Sequence, residues 1–156
     1  MKKKIKFILV ITWMIVIFMF SNQVATDSTK LTKQITSDVI DVIDKEITTE
    51  TREEIQQSIF VPLRKSAHFF VYFVLGMLIY TLLKEYMPKY KFRLSIVLVV
   101  LYAITDEFHQ MFIPGRSASY IDVLIDTAGG LTGASVMAIR YKIKHRIRSK
   151  KEIKKR

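Results

Sequence analysis

The chain contains no cysteine. That excludes disulfides, thiolate nucleophiles and cysteine-ligated metals, and it leaves the redox compartment open. No Gly-rich nucleotide loop, no nucleophile elbow and no His-Glu-x-x-His pattern occurs in the 156 residues. Acids are scarce beside bases: 14 Asp and Glu stand against 25 Lys and Arg, a net charge of +11. An excess of that size raises nucleic acid as a partner. The placement of the charge argues against it, because the basic residues flank apolar runs as membrane-topology signals do. No nucleic-acid partner and no cofactor is expected.

What the chain has in quantity is hydrophobic residues, half of its length, gathered in blocks. Residues 7–20 are almost wholly apolar and follow four lysines in residues 2–6. No Ala-x-Ala cleavage site comes after them, so a retained span over about residues 5–22 is read in preference to a cleaved signal peptide. Residues 66–84, 92–113 and 119–141 are the further spans, since about 20 residues at ~1.5 Å rise cross the ~30 Å hydrocarbon layer. The expected fold is an all-α membrane protein with four transmembrane helices. Residues 1–145 form the membrane domain and residues 146–156 a basic cytoplasmic tail.

Residues 24–64 form a polar insert between the first two spans. Leu31, Ile35, Val39, Val42, Ile43 and Ile47 recur in it at helical spacing. This reads as an amphipathic helix on the membrane or capping the bundle, a connector rather than a substrate lid. Residues 51–54, Thr-Arg-Glu-Glu, are a capping box for a second short helix, which Pro62 should end.

Topology follows from the positive charges. Four Lys or Arg lie in residues 2–6, four in 84–93 and ten in 140–156, and seven remain elsewhere. The positive-inside rule puts both termini in the cytoplasm and the polar insert outside a multi-pass cell-membrane protein. The ionisable residues inside the spans then fall near the outer surface: His68 in the second span, Asp106 to Gln110 in the third, Asp122 and Asp126 in the fourth.

Such residues are costly in lipid, ~2.5–3.5 kcal/mol or more for an Asp at a helix centre, and mark a functional site by default. At 100° per residue, Asp106, Glu107, His109 and Gln110 share one side of their helix, while Phe108, Met111 and Phe112 take the other. Lys65, His68, Tyr72 and Gly76 form a stripe on the second span, where Gly76 permits a close helix contact. Asp122, Asp126, Gly129, Gly130 and Gly133 share a face of the fourth. Residues 119–122 also read as a capping box, which gives Asp122 a local role.

The chemistry stays open between three readings. Asp106, Glu107, His68 and His109 suit acid–base catalysis. Carboxylates with imidazole suit zinc or manganese, and oxygen-only sets suit magnesium or calcium, though no metal is assigned to them. A buried ion-pair network with Lys65 or Arg116 would fasten the helices instead. Arg116 suits phosphate, which a guanidinium bonds bidentately. The candidate binding set is therefore Lys65, His68, Asp106, Glu107, His109, Gln110, Arg116, Asp122 and Asp126.

With these residues in view, the chain resembles the VanZ-like family. The matching stretches are Phe-Ser-Asn-Gln at 20–23, Arg-Lys-Ser-Ala-His-Phe at 64–69 with Tyr72, Leu75 and Gly76, Asp-Glu-Phe-His-Gln at 106–110, Pro-Gly-Arg at 114–116, and Asp122 through Asp126 to Gly130. Val71 stands where the family often has an acid. The family is named for a membrane protein giving low-level resistance to the glycopeptide teicoplanin. The resemblance therefore implies a cell-envelope protein that influences glycopeptide sensitivity. The partners it suggests are membrane lipids, lipid-linked cell-wall precursors or the glycopeptide itself. A membrane enzyme on a lipid-phosphate substrate and a purely structural helix bundle are the alternatives.

Overall fold

The structure, a computed structural model, describes residues 3–22, 49–114 and 118–153, with the backbone alone for residues 49–57 and 59–61. The described residues form four helices and no strand: α1 (Lys3–Ser21), α2 (Thr49–Tyr86), α3 (Lys91–Gln110) and α4 (Tyr120–Ile153). The expected amphipathic helix over residues 31–47 lies outside the described residues.

Three of the four, α1, the Pro62–Tyr86 part of α2, and α4, are long and apolar enough to cross a membrane. At 20 residues α3 is one residue longer than α1, about 30 Å. It carries Lys91 and Arg93 at one end and Asp106 and Glu107 at the other, so no 18-residue stretch of it is free of more than two charges. Large apolar side chains are exposed along α1 (Phe7, Ile8, Ile15, Met19), α3 (Val97, Leu101, Ile104, Phe108) and α4 (Leu124, Leu131, Ile139). Exposure on that scale is foreign to a water-facing surface and ordinary for a lipid-facing one.

Contacts along the helices fix their directions. Lys6 pairs with Glu85 and the Trp13 indole N–H donates to the Val71 carbonyl at 2.8 Å, so α1 and α2 are antiparallel. The Tyr102 hydroxyl donates to the Met14 carbonyl at 2.6 Å. Arg64 meets Asp122 and His68 meets Asp126, so α2 and α4 are parallel. The result is an up-down-up-down bundle with α2 against each of the other three helices. The described starts of α1 and α3 and the ends of α2 and α4 share one end.

Glycine sets the α2–α4 distance. A Cβ on Gly76 would stand 2.1 Å from the Gly130 carbonyl oxygen, one on Gly129 2.2 Å from that of Phe69, and one on Gly133 2.0 Å from that of Phe73. No side chain larger than hydrogen fits while the backbones stay this close, which is the contact expected of Gly76 and the α4 glycines. Tyr72, Leu75, Ile79, Val99, Ala103, Val10 and Ile17 fill the core beside this seam.

Three boundaries differ from expectation. Pro62 does not end a helix: α2 is continuous for 38 residues with Pro62 inside it. Proline removes one backbone bond, to the carbonyl of Ser58 four residues earlier. Ser58 is exposed, so water can satisfy that carbonyl and the chain stays helical. The third helix stops at Gln110 rather than Ile113. The N–H groups of Phe112 and Ile113 bond the carbonyls of His109 and Gln110, which tightens the last turn to three-residue spacing. The fourth helix does not stop at Tyr141 but runs to Ile153, because the basic tail has no Gly or Pro to break it. Its 34 residues measure about 50 Å.

Candidate functional site

The polar residues singled out in three separate segments come together at the end of the bundle opposite the α1 start. On α3, Asp106, Glu107 and Gln110 are 3–4% exposed while Phe108, Met111 and Phe112 are 57–69% exposed. The helical period alone separates them, since a 100° step sends alternate pairs to opposite faces. Asp122 and Asp126 on α4 are buried with the glycines, as their shared face requires.

At the centre, His68 Nδ1 on α2 lies 3.4 Å from Asp126 Oδ1 on α4. Asp126 is wholly buried, and neither of its oxygens has a hydrogen-bond partner among the described residues. Asp106, Asp122 and Glu107 are near enough for their charges to act on this pair. One turn toward the end of the bundle, Arg64 donates to Asp122 Oδ2 at 3.1 Å. The Arg64 side chain is 39% exposed and that of Asp122 only 5%, so the acid is the buried anchor and the guanidinium faces outward. The Gln110 amide donates to Asp106 Oδ2 at 3.3 Å. Among the described residues, the hydroxyl of the wholly buried Tyr72 and one oxygen each of Asp106 and Glu107 also have no hydrogen-bond partner.

Glu107 has a role that the sequence assigned elsewhere. Its Oε2 accepts the Ser119 backbone N–H at 2.8 Å. In a capping box that N–H belongs to the acid three residues on, here Asp122. The α4 start thus takes its capping carboxylate from α3, which leaves the Asp122 carboxylate for Arg64.

Two candidates stand apart. His109 turns to α1, its ring centroid 4.6 Å from that of Phe18 and Nε2 3.4 Å from Asn22 Oδ1. Lys65 is half-buried, and no carboxylate among the described residues pairs with it. Arg116 lies outside the described residues. Arg64 is the site residue that the candidate set missed. The signal was available: His68 is about 40° from Arg64 around the helix and about 60° from Lys65. Among the described residues, no three His, Asp or Glu side chains converge to hold a metal ion.

Residues 6–141 match the family model described as VanZ/LLP1. The chain belongs to the VanZ/LLP1 family. No curated protein and no solved structure matches it. The matched range takes in every VanZ-like stretch from residue 20 to Gly130, and thus the whole buried cluster. It also takes in α1 from Lys6 onward, α2, α3 and the apolar part of α4. The family is therefore that of an all-helical chain with membrane-spanning character.

Chemically the cluster is acid-rich. Four buried carboxylates, Asp106, Glu107, Asp122 and Asp126, stand against two basic groups, His68 within the cluster and Arg64 at its partly exposed edge. Carboxylates so buried need protons, water or a cationic group to complete them. A basic group at the mouth over carboxylates at the base is an arrangement that can orient one guanidinium and one imidazole for an incoming ligand.

Proposed function

We propose that this VanZ/LLP1 member is a multi-pass envelope protein, with four helices crossing the bilayer and both termini in the cytoplasm. In this reading the polar end faces outward and binds anionic, lipid-linked headgroups. By holding such lipids it lowers or raises sensitivity to glycopeptides such as teicoplanin. The observation that carries this is Arg64: a guanidinium held by a buried Asp122, with 39% of its side chain exposed at the end of the bundle. Phosphate is the natural ligand of such a group. Lys65 beside it and, from the sequence, Arg116 add charge, and Asp126 orients His68.

The His68–Asp126 pair supports a second reading, an enzyme acting on a lipid-phosphate substrate. A carboxylate behind an imidazole is the arrangement of a general acid or base. One experiment separates the two, and both from a structural bundle. A susceptible Gram-positive host expresses the wild type, Arg64→Gln, His68→Ala or Asp126→Asn, with the membrane level of each protein quantified. Teicoplanin and vancomycin sensitivity are then compared. Headgroup binding expects a change with the wild type, a graded loss in Arg64→Gln and a partial loss in His68→Ala. Catalysis expects near-total loss in His68→Ala at normal protein level. A bundle with no site expects loss only where the protein fails to accumulate. No change with the wild type itself would sink the glycopeptide role.

A further inference from the structure

The end of the bundle remote from the acid cluster is built oppositely. A groove of about 660 Å³ opens there between the end of α2, the start of α3 and the middle of α4. Tyr80, Ala138 and Tyr141 line it, and Lys89, Lys91, Arg93 and Lys142 add four cations. The volume is that of a small-molecule site, about 300–1,000 Å³.

The cations at this end have little acid to answer them. Among the described residues only Glu85 and Glu152 are acidic there, and they pair with Lys6 and Arg148. The lysines fold onto aromatic rings instead. Lys84 Nζ lies 4.4 Å and Lys91 Nζ 5.2 Å from the centroid of Tyr141, and Lys89 Nζ 5.3 Å from that of Tyr90. Two ammonium groups on one ring repel each other, and an anion between them would relieve the repulsion.

The backbone adds to this. Tyr90 caps α3 without a side-chain hydrogen bond, and the first turn of α3 holds no acid. Its first N–H groups therefore lack intrahelical partners, and the residues that carry them, Lys91 to Arg93, line the groove. A helix start in this state favours a phosphate. Beside the charges, Phe92 is exposed at the edge and Tyr80 is buried in the wall. Apolar and basic lining side by side suit an amphiphile better than a free ion.

We infer that this groove binds the phosphate of an anionic phospholipid on the side of the membrane opposite the acid cluster. Lys89, Arg93 and Lys142 contact the headgroup oxygens, the α3 start completes the cradle, and Phe92 meets the first methylenes. Inorganic phosphate shares the headgroup chemistry, and the test separates the two sources.

The full-length protein in phosphatidylcholine nanodiscs is titrated with phosphatidylglycerol, and lipid retention is read by native mass spectrometry. The wild type is expected to retain phosphatidylglycerol about tenfold more tightly than phosphatidylcholine, a charge-assisted preference. Lys89→Gln/Arg93→Gln should remove that preference. Ala138→Leu, which fills the groove without changing charge, should remove it too. Lys150→Gln/Lys151→Gln, which removes the same charge from the far end of α4, should not. Equal retention of the two lipids, or equal loss in the tail variant, overturns the inference. A parallel arm adds inorganic phosphate alone and follows thermal unfolding. Stabilisation by phosphate with no lipid preference would overturn the lipid assignment in favour of a soluble anion.

Discussion

Replacing Gly76 by alanine should be among the most damaging single changes in this protein, although it adds one methyl group. The added Cβ would sit 2.1 Å from the Gly130 carbonyl oxygen, where ordinary contact begins at 3.4 Å. The obstacle is backbone, so no rotamer relieves it, and α2 and α4 must part by roughly 1.3 Å. Parting them loosens the same seam that holds Arg64 to Asp122 and His68 to Asp126. Overpacking of this kind costs about 3 kcal/mol at the upper end, which lowers Tm by roughly 6–12 °C for a chain this long. The assay is thermal unfolding in detergent micelles, followed by near-ultraviolet circular dichroism. Gly130→Ala supplies the contrast, because its Cβ meets the Val99 side chain rather than backbone. Val99→Ala should therefore restore most of the stability lost in Gly130→Ala and none of that lost in Gly76→Ala. Wild-type unfolding of Gly76→Ala, or rescue of both variants by Val99→Ala, would refute the backbone-contact argument.

Three further outcomes are expected. Arg64→Gln should cost about 1 kcal/mol, modest because the guanidinium is partly exposed, and Arg64→Gln with Asp122→Asn should cost less than the sum of the two; strict additivity in chemical unfolding would deny the pair any coupling. Glu107→Gln should weaken the α4 start by about 1 kcal/mol, seen as faster amide exchange at Ser119 with little change at Gly129; unchanged exchange would show that the Ser119 bond is dispensable. Pro62→Ala should restore the bond to the Ser58 carbonyl and stabilise α2 by up to ~3 kcal/mol, raising the unfolding temperature in lipid; a lower temperature would mean that the proline supports a bend the fold requires.

The α3 and α4 faces were legible in advance because a helix has one period. Asp106, Glu107 and Gln110 fell inside and Phe108, Met111 and Phe112 outside from spacing alone, and the α4 acids went with its glycines. The meeting of His68 with the α4 acids near one end also followed from placing charges on two sides of a membrane. What spacing does not encode is the phase of one helix against another. His109 lies within the same polar arc as Asp106, yet it reaches α1 because α1 packs on that edge. Arg64 and Lys65 are adjacent, and only the docking of α4 decides that Arg64 takes Asp122. Glu107 could not be assigned to Ser119 from a local capping rule, since the bond joins two helices. Pro62 misled for a different reason: a helix-breaking residue costs one hydrogen bond, and the carbonyl it frees belongs to an exposed residue.

The indole of Trp13 gives the protein a built-in optical gauge. It is the single tryptophan of the chain, and its N–H is committed to the Val71 carbonyl across the α1–α2 seam. Emission excited at the indole band therefore reports one event, the seating of α1 on α2, without any label. Lipid or ligand that leaves α1 seated should leave that emission unchanged, whatever it does at either end of the bundle. A shift would mean that the first helix moves against its neighbour when the protein is loaded.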